Sequence, residues 1–341
     1  MTKPRLAFAV IVVLAGVALA ITRVYFFAHV DLGLDFRVYQ RTVTWPLDQL
    51  YHDPGPMPFL YPPTAILLFK PFAMLPAAFL AWSIASVLAF AAAVGAASGK
   101  RVAAVALCSP AAIGGLILGQ VPMILAAALF AGLKLRPFLG GMLWGVAAAI
   151  KPQLMVLAPL ALAVRRDWTM LFGMAAGVGA MVIGSTLLLG YGLWFDWLAA
   201  IGSFGERLEQ GVVRTVTPAG QAGVIGLPTL PFLLAGGAVA ATAVVASARK
   251  LEDEFLIGLV VAASILVSPY AYVHDTIALV PACIALLFRG PWWAAIPCAM
   301  IFLGIAALTM NGLMIALCAV ALWSLWSGRM EGPSPALPVR N

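Results

Sequence analysis

Residues 61–76, YPPTAILLFKPFAMLP, decide how the rest of the chain is placed. The segment is apolar, but it is only about 16 residues long, it opens on two prolines, and Lys70-Pro71 interrupts it. A helix that crosses a bilayer needs roughly 20 apolar residues, and an interior proline removes a backbone donor. The segment therefore suits a partly inserted or interfacial helix better than a full span.

The surrounding chain has 341 residues, 63% hydrophobic and 10% charged, with a mean hydropathy of +1.03. A soluble domain carries about 25% charged residues, so this composition specifies an all-α, polytopic membrane protein whose partners include membrane lipids. The net charge of +7 does not make it a nucleic-acid binder, because the basic residues fall in short separated pairs between apolar runs rather than in a continuous patch. Cys108, Cys283, Cys298 and Cys318 all lie inside apolar runs without a CxxC pair, so neither a disulfide framework nor a thiolate metal site is indicated. Lys3 and Arg5 precede a run from Leu6 to Phe27. That run is longer than a signal peptide's apolar core and lacks a small-residue cleavage site, so it is expected to be a transmembrane helix.

Polar, proline and glycine breaks divide the apolar sequence into twelve candidate helices at 6–27, 78–98, 102–118, 121–134, 137–150, 153–165, 168–190, 227–248, 254–268, 275–288, 291–309 and 312–327. If residues 61–76 do not span, Lys3, Arg5, Lys100, Arg101, Lys134, Arg136, Arg165, Arg166, Arg249, Lys250, Arg289, Arg329 and Arg340 share one side, 13 of the 20 basic residues. The positive-inside rule then favours about twelve spans with that side cytoplasmic. One transmembrane domain, 1–327, is expected, with a proline- and serine-rich cytoplasmic tail at 328–341 that reads as disordered. Its outer face would carry a polar stretch with interfacial helices at 28–77, the turns 118–122, 150–153 and 267–275, a loop at 190–226, and a short Asn311-Gly312 turn.

Isolated charges near a membrane are costly and are usually kept for a partner or ligand. Asp35, Lys151 and His274 are such residues, and all three fall on the outer face of this topology. A partly desolvated Asp35 suits proton abstraction from a hydroxyl, although it competes with Asp31, Asp48 and Asp53, and pairing with Arg37 or Arg41 is the plainer reading. Tyr39 lies four residues on, on the same helical face. Lys151, before Pro152 and Gln153, could hold a phosphate or an anionic headgroup, or simply snorkel at the interface. His274, in S-P-Y-A-Y-V-H-D, could donate to a phosphate or sugar oxygen with Asp275 fixing its tautomer, or be structural. Arg207 and Arg214 could clamp a phosphate or pair with Glu206 and Glu209, and Gln120 caps a tight hairpin. No P-loop, GxGxxG, HExxH or GxSxG pattern stands at a usable position.

The order of D-F-R-V-Y (35–39) with Leu50-Tyr51, F-L-Y-P-P (59–63), L-G-Q-V-P (118–122), A-A-A-I-K-P-Q (147–153), R-R-D-W (165–168) and S-P-Y-A-Y-V-H (268–274) resembles glycosyltransferase family 87. That resemblance implies a GT-C type membrane enzyme. It would transfer a hexose, mannose by the family pattern, from a polyprenyl-phosphate sugar to a hydroxyl of a glycolipid or glycan. The transfer would be inverting and metal-independent, with no cofactor beyond the lipid-linked donor, at the periplasmic face of a bacterial inner membrane. It also implies Asp35 as general base, with Lys151, His274, Tyr39, Tyr61, Arg37, Gln120, Gln153 and Arg214 as substrate-binding residues. The segment T-P-A-G-Q-A-G (217–223) departs from the family's pattern and leaves the acceptor open. A transporter or flippase would instead want broken polar helices at the bilayer midplane and repeated halves, and an inactive scaffold would bind donor without turnover.

Overall fold

The computed structural model describes residues 3–27, 32–52, 57–207, 215–290 and 292–304. They form sixteen α-helices joined by turns and short 3-10 segments, with no strand among the described residues. The helices are α1 (Lys3–Phe27), α2 (Leu34–Thr44), α3 (Pro63–Ala73), α4 (Ala78–Ser98), α5 (Lys100–Leu107), α6 (Pro110–Leu118), α7 (Pro122–Gly132) and α8 (Pro137–Ile150). They continue with α9 (Ala158–Arg165), α10 (Trp168–Leu189), α11 (Gly192–Arg207), α12 (Pro218–Val224), α13 (Thr229–Ser247), α14 (Asp253–Leu266), α15 (Val280–Arg289) and α16 (Trp292–Leu303).

The chain is an all-α membrane protein, but its described helices do not carry twelve spans. Four are long and apolar enough to cross a membrane, α1, α4, α10 and α13, and α5 with α6 makes a fifth if that pair, bent by 60°, counts as one. Counting apolar runs overestimates spans because several runs fold as helices too short to cross, such as α7, α8, α9, α14 and α15. In α14 every residue from Leu256 to Leu266 is buried, so its apolar circumference meets protein on all sides. The longest helices instead expose large side chains such as Ile11, Leu14, Leu187 and Leu188, as a lipid-facing surface requires. The run 312–327 and the tail 328–341 lie outside the described residues.

Local chemistry explains where expected runs break. Ser109 caps α6 by accepting the Ala112 N–H, and Pro110 occupies its first turn, so 102–118 becomes two helices. Residues 153–165 start as a 3-10 turn over Pro152–Leu154 before α9. The expected loop at 190–226 carries two helices, α11 and α12. Of these, α11 is amphipathic, GLWFDWLAAIGSFGER, a pattern hidden by the polar residues that mark the segment.

Two helices meet by glycine. Gly141 and Gly145 on α8 face Gly173 and Gly177 on α10, and a Cβ on any of the four would collide with a backbone carbonyl: Met170 and Met174 against α8, Phe138 and Met142 against α10. Small residues four apart let helix backbones approach closely where lipid gives no hydrophobic drive to associate. This contact holds α8 in place, and α8 ends at the candidate site. We expect Gly141→Val or Gly145→Val to lower thermal stability in detergent by about 1–3 kcal/mol or more. Gly179→Ala, where nothing lies within 4 Å, should change it by no more than about 0.5 kcal/mol.

Candidate functional site

Two left-handed glycines set the first wall of a cavity. Gly33 (φ 69°) stands at the N-terminus of α2 and Gly119 (φ 77°) ends α6. The Gly33 N–H donates to the Ile117 carbonyl at 2.7 Å, and a Cβ on Gly119 would sit 2.7 Å from the Phe36 Cβ. Only glycine allows both conformations and this approach at little cost. The start of α2, with Asp35 in its first turn, is thereby held beside Gln120.

Aromatic packing locks α2 further. Tyr39 stacks on Phe69 with centroids 3.8 Å apart and meets Trp82 edge-on, while Phe36 packs on Phe79 and Trp82. The Tyr39 hydroxyl is hydrogen-bonded to that of Tyr61 at 3.0 Å, and Tyr61 reaches on to Gln120 Oε1 at 3.4 Å. Tyr51 donates to the Tyr61 carbonyl at 2.8 Å, and Trp197 on α11 donates to the Leu60 carbonyl at 3.0 Å.

The opposite wall comes from the end of α8. Proline at 152 disfavours helical backbone at the preceding residue, and Lys151 has left the helix at φ −140°, ψ 76°. Thr64 at the start of α3 donates to the Ala149 carbonyl, which brings Tyr61 next to this turn. The Lys151 ammonium lies 6.0 Å from the centre of the Tyr61 ring and is ion-paired with Asp275, both side chains being almost fully buried. Asp275 also accepts the Tyr272 N–H at 3.0 Å, which caps the 3-10 turn Val273–Ala278. His274 Nε2 lies 4.0 Å from Asp275 Oδ1, and its ring stacks on Tyr272 at 5.6 Å.

These walls enclose a cavity of about 260 Å³. Of the residues singled out by sequence, Asp35, Tyr39, Tyr61, Gln120, Lys151, Gln153 and His274 line it. Arg37 does not: it is exposed on α2, and its guanidinium turns away to the Leu32 carbonyl at 3.5 Å. Arg214 lies outside the described residues. Asp275, expected to serve His274, is first the partner of Lys151, because an ammonium buried this deeply needs a counter-charge. Sequence reading missed Trp197 and Ile201, which reach the cavity from α11. Their signal was the helical spacing of apolar residues within 192–207.

Burial sets the protonation of this site. It pushes the hydroxyls of Tyr39 and Tyr61 up, and lesser contributions from the Asp35 carboxylate push the same way. Tyr272 is raised by burial and then by Asp275 and Asp35. These phenols therefore stay protonated and act as hydrogen-bond donors, not bases. His274 is pushed down to about 4, by burial first, with Lys151 and Arg23 adding to it against the opposing Asp275. Burial alone would raise Asp275, but the Lys151 ammonium above all holds its carboxyl below the ordinary carboxylate value.

The model of glycosyltransferase family 87 matches residues 59–269. That is more than half of the chain, which belongs to this family and is a membrane glycosyltransferase by family. The match contains Tyr61, Gln120, Lys151, Gln153 and Trp197, while His274 and Asp275 lie just past its end and Asp35 lies well before its start. No curated protein and no solved structure matches the chain.

His274 has a lower pKa folded than its ordinary 6.5, so the unfolded chain takes up that proton first. Stability contributed by the neutral ring is present above pH 6.5 and is lost as the pH falls toward about 4. Thermal unfolding in detergent should show this loss, and His274→Gln should flatten it; Asp275, with its lowered carboxyl, adds a further loss only below 3.8.

Proposed function

We propose that the chain transfers a hexose, with mannose the first candidate, from a polyprenyl-phosphate sugar to a hydroxyl of a glycolipid or glycan. The reading places the cavity at the periplasmic face of a bacterial inner membrane, in a GT-C type architecture. One observation carries it: a carboxylate, Asp35, and an ammonium, Lys151, drawn from segments 116 residues apart in sequence, line a single cavity with neutral His274.

The chemistry asked of such a cavity is a single displacement at the anomeric carbon. The acceptor hydroxyl oxygen attacks C1, Asp35 takes its proton, and the bond from C1 to the phosphate oxygen breaks, inverting the configuration. Charge grows on the departing polyprenyl phosphate, and preorganised donors aimed at that charge lower the barrier. Lys151 supplies the positive charge and neutral His274 an N–H, so this route needs no metal ion. Asp35 is the base because the phenols, raised by burial, stay protonated, His274 is assigned to the leaving phosphate, and Asp35 is the carboxylate among the residues that line the cavity. Tyr61 and Gln120 present polar atoms for sugar hydroxyls, and Gln153 lies next to Lys151 on the same wall. Trp197 and Ile201 give an apolar side where an isoprenoid chain can leave toward lipid, since Ile201 is also exposed on α11.

With purified protein in nanodiscs and a polyprenyl-phosphate hexose as donor, Asp35→Asn should reduce transfer by about 10²–10⁴-fold, the usual range for a lost general base. Donor binding should change far less. Full activity in that variant would remove Asp35 from the role.

A further inference from the structure

We propose that Asp275 is a positioning residue: from behind the cavity wall it holds the Lys151 ammonium in the one orientation that presents it to an anionic phosphate. The two side chains then act as a single phosphate seat. This inference rests on the reading that Lys151 meets the donor phosphate.

Three features carry it. Lys151 lines the cavity and Asp275 does not, although the two are paired. The carboxylate is therefore a backing group, out of reach of a ligand in the cavity. Asp275 is itself fixed, because its second oxygen takes the Tyr272 N–H at 3.0 Å within the capped turn Val273–Ala278. Finally, an ammonium has three donors on a flexible four-carbon stem. Lys151 commits one of them to Asp275 and keeps the others for the cavity. Without the carboxylate the stem is free to rotate, and nothing else described accepts a hydrogen bond from its ammonium.

The alternative role is simple charge compensation, in which Asp275 only makes burial of Lys151 tolerable. The two differ in sign. Removing a carboxylate that merely competes for the ammonium strengthens anion binding, whereas removing one that aims the ammonium weakens it.

The test uses the full chain in phosphatidylcholine nanodiscs with dodecyl phosphate as the probe, titrated by calorimetry. Positioning predicts that Asp275→Asn raises Kd about tenfold, the scale of one misaligned charge-assisted hydrogen bond. Asp275→Glu keeps the charge and moves it by one methylene, so it should also weaken binding; it decides the matter if Asp275→Asn does not fold. Lys151→Gln/Asp275→Asn should bind as weakly as Lys151→Gln alone, while regaining thermal stability that Lys151→Gln loses, because no unpaired charge stays buried. A purely structural pair would recover binding together with stability.

The inference is overturned if Asp275→Asn or Asp275→Glu binds as tightly as the unaltered protein or more tightly, if the single losses multiply in the double variant, or if the unaltered protein does not bind the probe. Phosphate binding that behaves as expected, without hexosyl transfer, would instead refute the transferase reading and leave the seat standing.

Discussion

The burial of one ammonium constrains much of this structure. Lys151 is buried at the end of an apolar helix, where an uncompensated charge would cost several kcal/mol, and only Asp275 pairs with it among the described residues. To bring that carboxylate there, the turn Val273–Ala278, which packs on α6 and α7, must come within ion-pair reach of the Lys151 side chain. It is itself held by the extended segment around Val216, whose N–H donates to the Ala271 carbonyl at 2.8 Å. The same requirement fixes His274 and Tyr272 at the cavity, one residue before the carboxylate and three residues before it. A polar cluster placed in this way is stiff, since each member satisfies another and none can move alone.

Against that wall, α2 is held by constraints of a different kind. Its orientation follows from two glycine turns and an aromatic cluster, so packing places the helix that carries Asp35. The site thus joins an ion-paired wall to an aromatic one, with the cavity between them. Such a division suits a reaction that needs a base on one side and a stabilised leaving group on the other.

Much of this was legible in the sequence. Hydropathy specified an all-helical membrane protein, and several helices, such as Ala78–Ser98 and Pro137–Ile150, run to the residues at which polar or proline breaks end the apolar runs. The rarity of charge in such a chain singled out Asp35, Lys151 and His274, which line one cavity. Span number was not legible, because hydropathy does not show where an apolar run folds as a helix too short to cross, as α14 does with 14 residues. The roles of Asp275 and Arg37 were not legible either. Sequence spacing ties Asp275 to His274 and Arg37 to Asp35, but the partner of Lys151 lies 124 residues away, and the turn of α2 sends Arg37 out of the cavity. Helix α11 escaped notice because its polar positions mark a surface segment while its apolar ones, Trp197 and Ile201, complete the cavity wall.

The central claim is that this chain adds one hexose to a membrane-linked acceptor through this cavity, and mass spectrometry of the glycolipids and glycopolymers of cells with and without the gene tests it most directly. The account predicts that cells lacking the gene accumulate a glycolipid or glycan one hexose short, and that the unaltered gene restores the full species. Identical profiles in the two cells, with the protein confirmed in the membrane of the first, would contradict it.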